Sequence, residues 1–127
     1  MDLSPILSLF SADPRILALY ALGSAVNGNM RPDSDIDLAV LVMPGTKLGA
    51  LERAELAADA SIILGRDVDL GELSSRNLVY AYEVIMKGRR LFERDEGRAG
   101  LMEACLLGMF ANFNLERREL LDAYRIG

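Results

Sequence analysis

Apolar residues fall along the chain in blocks of changing period, and the changes mark out the elements. Leu3, Ile6, Leu7 and Phe10 stand three and four apart, which predicts a short amphipathic helix ending at Ser11-Ala12-Asp13-Pro14. Ile16 to Leu22 is apolar at odd and even positions alike, the pattern of a strand covered on both faces, which a buried helix shares. That run stops at Gly23-Ser24. Ala25 to Met30 has room for one or two helical turns, and Arg31-Pro32-Asp33-Ser34 reads as a turn. Asp35 to Met43 predicts a second strand, with Ile36, Leu38, Val40 and Val42 on one face and Asp35, Asp37, Ala39 and Leu41 on the other.

Past the break at Pro44-Gly45, Lys47 to Leu64 is rich in Leu, Ala and Glu, and Leu48, Leu51, Ala54, Ala58 and Ile62 follow helical spacing. Arg66 to Leu73 alternates and predicts a third strand. Ser74-Ser75 can cap a helix from Arg76 to Met86 that Gly88 ends, and Arg89 to Glu93 suits a short edge strand. Gly97 to Tyr124 is helical by pattern, with a first half that is apolar almost all round. There is no internal repeat or linker. The order predicts one small α/β domain over residues 1–127, with a mixed sheet of about four strands, helices packed on it and a long C-terminal helix.

Composition narrows the chemistry. A chain of 127 residues with 51% hydrophobic and 26% charged side chains can bury a core. Its 14 basic and 19 acidic residues give a net charge of −5, the wrong sign for holding nucleic acid mainly through phosphates. There is no histidine and one cysteine, Cys105, which excludes imidazole bases, Ser-His and Cys-His dyads, zinc knuckles and internal disulfides. Catalysis is left to carboxylates, hydroxyls, amines or a metal. The lone thiol suits a reducing cytoplasm, the start of the chain has no basic leader, and no apolar run approaches the roughly 20 residues of a membrane span. A cytoplasmic protein with no membrane attachment is expected.

Against that background, Asp35-Ile36-Asp37 conflicts with its surroundings, because a strand interior disfavours Asp and alternate residues place both carboxylates on one face within about 7 Å. Such a pair is either a solvated strand entrance or a seat for a hard cation such as Mg²⁺, which combines one or two carboxylates with water and substrate phosphates. Gly23-Ser24, ten residues upstream, is by itself an ordinary turn. Placed at a strand end before a helical turn, it also offers close backbone approach, a hydroxyl and free N–H groups to a phosphate. Asp67 and Asp69 form a second same-face pair, able to supply a third carboxylate or simply part of an exposed turn.

Gly23-Ser24, the ten-residue gap and Asp35-Ile36-Asp37, set in Pro32-Asp33-Ser34-Asp35-Ile36-Asp37-Leu38-Ala39-Val40, resemble the signature of minimal nucleotidyltransferases (MNT) of the DNA polymerase β superfamily. The resemblance continues through Val68-Asp69-Leu70 and Lys87-Gly88-Arg89-Arg90-Leu91-Phe92. It implies a polymerase-β-like fold, Gly23 and Ser24 at the nucleotide phosphates, Asp35 and Asp37 as ligands to Mg²⁺, and Asp69 as the third carboxylate assisting the nucleophile. Two metal ions are implied, with Mn²⁺ able to substitute, and ATP as substrate. The family often carries arginine or an aromatic soon after Gly-Ser, whereas this chain has Ala25-Val26-Asn27-Gly28-Asn29. Arg31 is then the nearest cation for the triphosphate, with Lys87, Arg89 and Arg90 either a further phosphate clamp or a helix-end charge cluster.

Free-standing MNT proteins of this size resemble the antitoxin of HEPN/MNT toxin-antitoxin pairs, which implies transfer of AMP from ATP to a tyrosine of a partner HEPN ribonuclease toxin. A transferase acting on a small-molecule hydroxyl and a non-catalytic antitoxin that masks the toxin are the alternatives, and a homo-oligomer is compatible with all three. Polymerase activity ranks lowest, with no basic excess and no room for a template-binding domain.

Overall fold

The computed structural model describes residues 1–23 and 34–126. Among these, a 3₁₀ turn over Ser4–Ile6 leads into α1 (Leu7–Ser11), followed by β1 (Ile16–Leu22), β2 (Ile36–Val42), α2 (Ala50–Leu64), β3 (Val68–Glu72), α3 (Leu78–Lys87), β4 (Arg89–Glu93) and α4 (Glu96–Ile126). The expected turn at Arg31 to Ser34 and the helical turns after Gly23 fall almost wholly outside the described residues.

The four strands form one mixed sheet in the order β3-β2-β1-β4. β1 pairs antiparallel with β2 and with β4, while β2 and β3 are parallel, so α2 is the crossover that a parallel pair requires. The doubly apolar sequences of β1 and β2 are explained by their central position, with helices on both faces. Ile16, Leu19, Ile36, Leu38 and Val40 pack with Phe10 of α1 and Leu56 and Ala60 of α2. Leu17, Ala18, Tyr20, Ala39 and Leu41 pack with Ala81 and Val84 of α3 and with Ala99 and Leu106 of α4. Leu17 and Ala18 reach the same side because the pairing with β2 slips between Ile16 and Ala18, a bulge that breaks the alternation. Burying each of the larger aliphatic side chains stabilises the fold by roughly 1.5–3 kcal/mol.

Several expectations for the helices change in the folded chain. Helix α2 begins at Ala50, not Lys47, because Gly49 is its N-cap and the Glu52 carboxylate accepts from the Gly49 N–H. Its buried face is Leu56 and Ala60; of the expected stripe, Leu51 is 73% and Ile62 79% exposed, while Leu48, ahead of the helix, packs partly buried against the core. The Ser61 hydroxyl accompanies this phase: it donates to the Ala57 carbonyl at 2.8 Å and accepts from Val68 N at 3.0 Å, tying the helix end to the start of β3. Helix α3 is capped by Asn77, whose Oδ1 accepts from Tyr80 N at 3.3 Å, while Ser74 closes a local turn onto Arg76 N. On α4 only Ala99 and Leu106 are buried among the described residues, and Leu101, Met109, Leu115, Leu120, Leu121 and Tyr124 stand in solvent.

Candidate active site

The sheet register brings the acidic residues together. Asp37 lies opposite Leu22 on β1 and opposite Asp69 on β3. Strands sit about 4.8 Å apart, so the two carboxylates share one face as direct neighbours. Asp35 precedes β2 by one residue and has the same parity as Asp37. Partial burial, then Asp69, then Asp35, push the Asp37 carboxyl above its ordinary range. Among the described residues no three acidic side chains close into a ready-made metal cage. An oxygen-only set of this kind suits a hard cation that keeps water and phosphate oxygens as its other ligands.

Gly23 completes this corner. Its φ of +61° is left-handed, and a Cβ there would stand 3.3 Å from Asp37 Oδ2. The turn after β1 therefore runs against the carboxylate with no side chain between them, which only glycine does without strain. Ser24 and Arg31, the other two residues singled out for nucleotide phosphates, lie outside the described residues. Asp67 does not join the group as a strand pair with Asp69, because β3 begins at Val68. Asp67 is exposed, and its carbonyl accepts from Ile36 N at 2.8 Å to start the parallel ladder.

One aromatic residue at this end was not singled out by sequence reasoning. The Tyr80 hydroxyl rests on Gly71, where a Cβ would lie 2.1 Å from its oxygen. Gly71 and Asp69 are two apart on β3, so the phenol borders the carboxylates. Burial, then Asp69 and Asp37, raise the Tyr80 pKa. The available signal was Gly71 itself, since a glycine inside a strand often marks the close approach of another group.

Residues 5–97 match the polymerase beta nucleotidyltransferase family. The chain belongs to that family. It is 30% identical over 109 residues to the protein adenylyltransferase MntA of Shewanella oneidensis, covering 86% of this chain and 76% of the relative. A toxin-antitoxin structure with AMP-PNP contains a chain that superposes with a TM-score of 0.82 at 28% identity, covering 98% of this chain and 99% of the other. A chain from the complex of tri-AMPylated Shewanella oneidensis HEPN toxin with MNT antitoxin gives a TM-score of 0.75 at 27% identity, over 97% and 95% of the two chains. The family match ends near the start of α4, whereas the structural likeness continues along that helix.

In this nucleotidyltransferase the basic residues near β4 divide in favour of the helix-end cluster. Lys87 Nζ pairs with Glu83 at 2.9 Å, and Arg90 pairs with Glu93 at 3.1 Å and Glu103 at 2.9 Å. Their charges are spent within the protein. Arg89 stands on β4 opposite Ala21, exposed.

Proposed function

We propose that this chain is a metal-dependent protein adenylyltransferase that moves AMP from ATP to a tyrosine hydroxyl of a partner HEPN ribonuclease toxin, and so acts as its antitoxin. The observation that carries this reading is the meeting of Asp35, Asp37 and Asp69 beside Gly23. It is supported by the likeness, along nearly the whole chain, to proteins of a toxin-antitoxin complex with AMP-PNP and of a complex with an AMPylated HEPN toxin.

Asp35 and Asp37 are the fitting holders of Mg²⁺ or Mn²⁺, with Asp69 as the third carboxylate of a two-metal site, because the donors are all hard oxygens and a cation there would offset both the burial of Asp37 and its repulsion from Asp69 and Asp35. Bound there, divalent metal supplies charge neutralisation at the phosphates and lowers the pKa of the attacking hydroxyl. The chain's own residues do the rest. Gly23 lets the backbone approach the triphosphate, Ser24 offers a hydroxyl to it, and Arg31 balances its charge. Asp69 takes the proton of the tyrosine hydroxyl as that oxygen bonds to the α-phosphorus and pyrophosphate departs. A phenol, with a pKa near 10 in water, needs less activation than an aliphatic alcohol. The partner's folded surface supplies the walls that this open site lacks. The net charge of −5 favours a basic partner face, and the exposed apolar residues of α4 offer it a docking surface. The reaction is assigned to the cytoplasm, where exposed Cys105 stays reduced.

The test is to incubate the protein with its co-encoded HEPN partner, ATP and Mg²⁺, map adducts by peptide mass spectrometry and assay the ribonuclease. An AMP adduct on a partner tyrosine, lost in EDTA and with Asp35→Asn, is expected together with loss of ribonuclease activity. Equal neutralisation by Asp35→Asn with no adduct would replace transfer by masking.

A further inference from the structure

The chain has four tyrosines, and one of them stands at the carboxylates. Tyr20 is buried in the core, Tyr82 stacks on Phe110 with ring centroids 4.2 Å apart, and Tyr124 is exposed near the end of α4. Tyr80 is different. It lies in the first turn of α3, and its hydroxyl rests on Gly71. Gly71 pairs in register with Ala39, which packs with Ala81 of α3, so the phenol shares the sheet face that Asp37 and Asp69 occupy by parity. Asp69 is two residues from Gly71 along β3, about 7 Å. Only the backbone N–H of Tyr80 is engaged, at Asn77 Oδ1; its hydroxyl donates to no other described residue.

The phenol borders a cavity of about 390 Å³, lined by Arg53, Asp69, Gly71, Arg76 and Tyr80, among others. That size falls in the range of small-ligand pockets, about 300–1,000 Å³. A neighbouring cavity shares Arg53 and Arg76 and reaches Lys47. Among the described residues none of these three cations is in an ion pair, whereas Arg15, Lys87 and Arg90 all are. In a chain of net charge −5, such a local positive surplus points to an anion beside the phenol. A free tyrosine is neutral. A tyrosine joined to AMP is a phosphodiester anion, and arginine binds phosphate through paired, charge-assisted hydrogen bonds. The strand order β3-β2-β1 puts Gly23 and the triphosphate assigned to it on the β1 side of Asp37, and Tyr80 on the β3 side. A phosphorus held between them would have its leaving group toward Gly23 and the phenol at the opposite end, the in-line order that transfer at phosphorus needs.

We propose that Tyr80 is a self-adenylylation site: the chain transfers AMP from ATP to its own Tyr80 hydroxyl, and the attached AMP lodges in the cavity against Arg53 and Arg76. This rests on the adenylyl transfer proposed above and adds an acceptor within the chain. The Tyr80 oxygen bonds to the α-phosphorus of ATP, the bond from that phosphorus to the oxygen bridging to the β-phosphate breaks, and pyrophosphate leaves with the electron pair. The phenol proton passes to Asp69 and then to water. AMP on Tyr80 occupies the side from which an outside hydroxyl reaches Asp69, so the modified chain is closed to its partner.

The test incubates the purified chain alone with ATP and Mg²⁺, then measures intact mass and maps the peptides. One AMP on Tyr80 is expected, absent in EDTA, with Asp37→Asn and with Tyr80→Phe, whose ring still covers Gly71. Because acceptor and site belong to one chain, the fraction modified per unit time should not change on dilution. An adduct that maps elsewhere and persists in Tyr80→Phe, or a rate that falls in proportion to dilution, overturns the proposal. Freed of ATP and metal, the adduct should melt above the unmodified chain, since its phosphodiester gains the two arginines; melting at or below it removes the AMP from the cavity. Given the HEPN partner and fresh ATP, the adduct should have lost transfer to it, and undiminished transfer overturns the closure. A parallel incubation of unmodified chain with that partner separates this proposal from the function it rests on. An adduct on the partner and none on Tyr80 sinks self-adenylylation alone, an adduct on Tyr80 and none on the partner sinks the proposed acceptor alone, and no adduct on either sinks both.

Discussion

The two edges of the sheet are matched in length and opposite in character. β3 and β4 are each five residues long and flank the same buried pair of strands. On the β4 side Arg90 is engaged by Glu93 and Glu103, and Arg94 by the carbonyls of Ile16, Ser11 and Asp13, each accepting at 2.9 Å, while Arg89 stands exposed. On the β3 side Asp69 faces Asp37 across the register, and the neighbouring cations have no ionic partner among the described residues. Like charges left facing each other cost stability, so they persist only where something else binds them. The β4 edge holds the fold, and the β3 edge is the one to which the proposed function assigns a ligand.

The contrast is broken most severely by removing a carboxylate. Asp37→Asn keeps the shape and deletes the charge, and AMP transfer should fall by at least about 10²-fold while the far-ultraviolet circular dichroism stays that of the wild type. Loss of folded signal with Asp37→Asn would put the β3 side in the scaffold as well.

The opposite outcome is expected at β4. Arg94→Ala releases three backbone carbonyls that tie the α1–β1 connection to the far edge, and should cost about 1–2 kcal/mol in urea unfolding while transfer at 25 °C is retained. A loss of transfer without loss of stability would reverse the roles of the two edges.

The smallest effect is on stability against pH. Asp37 has a raised folded-state pKa, so the folded state takes up its proton first and stability rises as pH falls through that value toward the unfolded value of 3.8. Asp13 runs the other way. Its carboxyl is held low by the hydrogen bond from Arg15, a stabilisation present above the unfolded pKa and lost as pH falls through the depressed folded one. Asp37→Asn should therefore raise metal-free stability at neutral pH by less than about 1 kcal/mol, given solvent screening, and abolish the rise on acidification. Asp13→Asn should lower stability at neutral pH and flatten the loss below about pH 4, the carboxylate range. Thermal melts from pH 3 to 7 in EDTA would separate the two.

The amino-acid sequence by itself determined the elements whose signal is local. Strands buried on both faces must be apolar at every position, so β1 and β2 were legible, and Asp35-Ile36-Asp37 stood out against them because carboxylates do not belong there without a reason. Gly23 likewise announced the turn that only a residue without a Cβ makes freely. Tertiary structure decided what local signal leaves degenerate. Helix α2 has Leu, Ala and Ile on several sides, and the Ser61 tie to β3, not periodicity, accompanies the choice of Leu56 and Ala60 as the buried face. The apolar first half of α4 gave no sign that Leu101 and Met109 would face solvent, since an apolar surface reads the same whether or not anything covers it. Lys47, Arg53 and Arg76 come from the loop before α2, from α2 itself and from the loop before α3, and Tyr80 meets Gly71 across nine positions of chain. Pattern along a sequence reports which side of an element is apolar. Which elements meet at one edge, and which charges are left there unpaired, is set only when the parallel crossover closes β3 against β2.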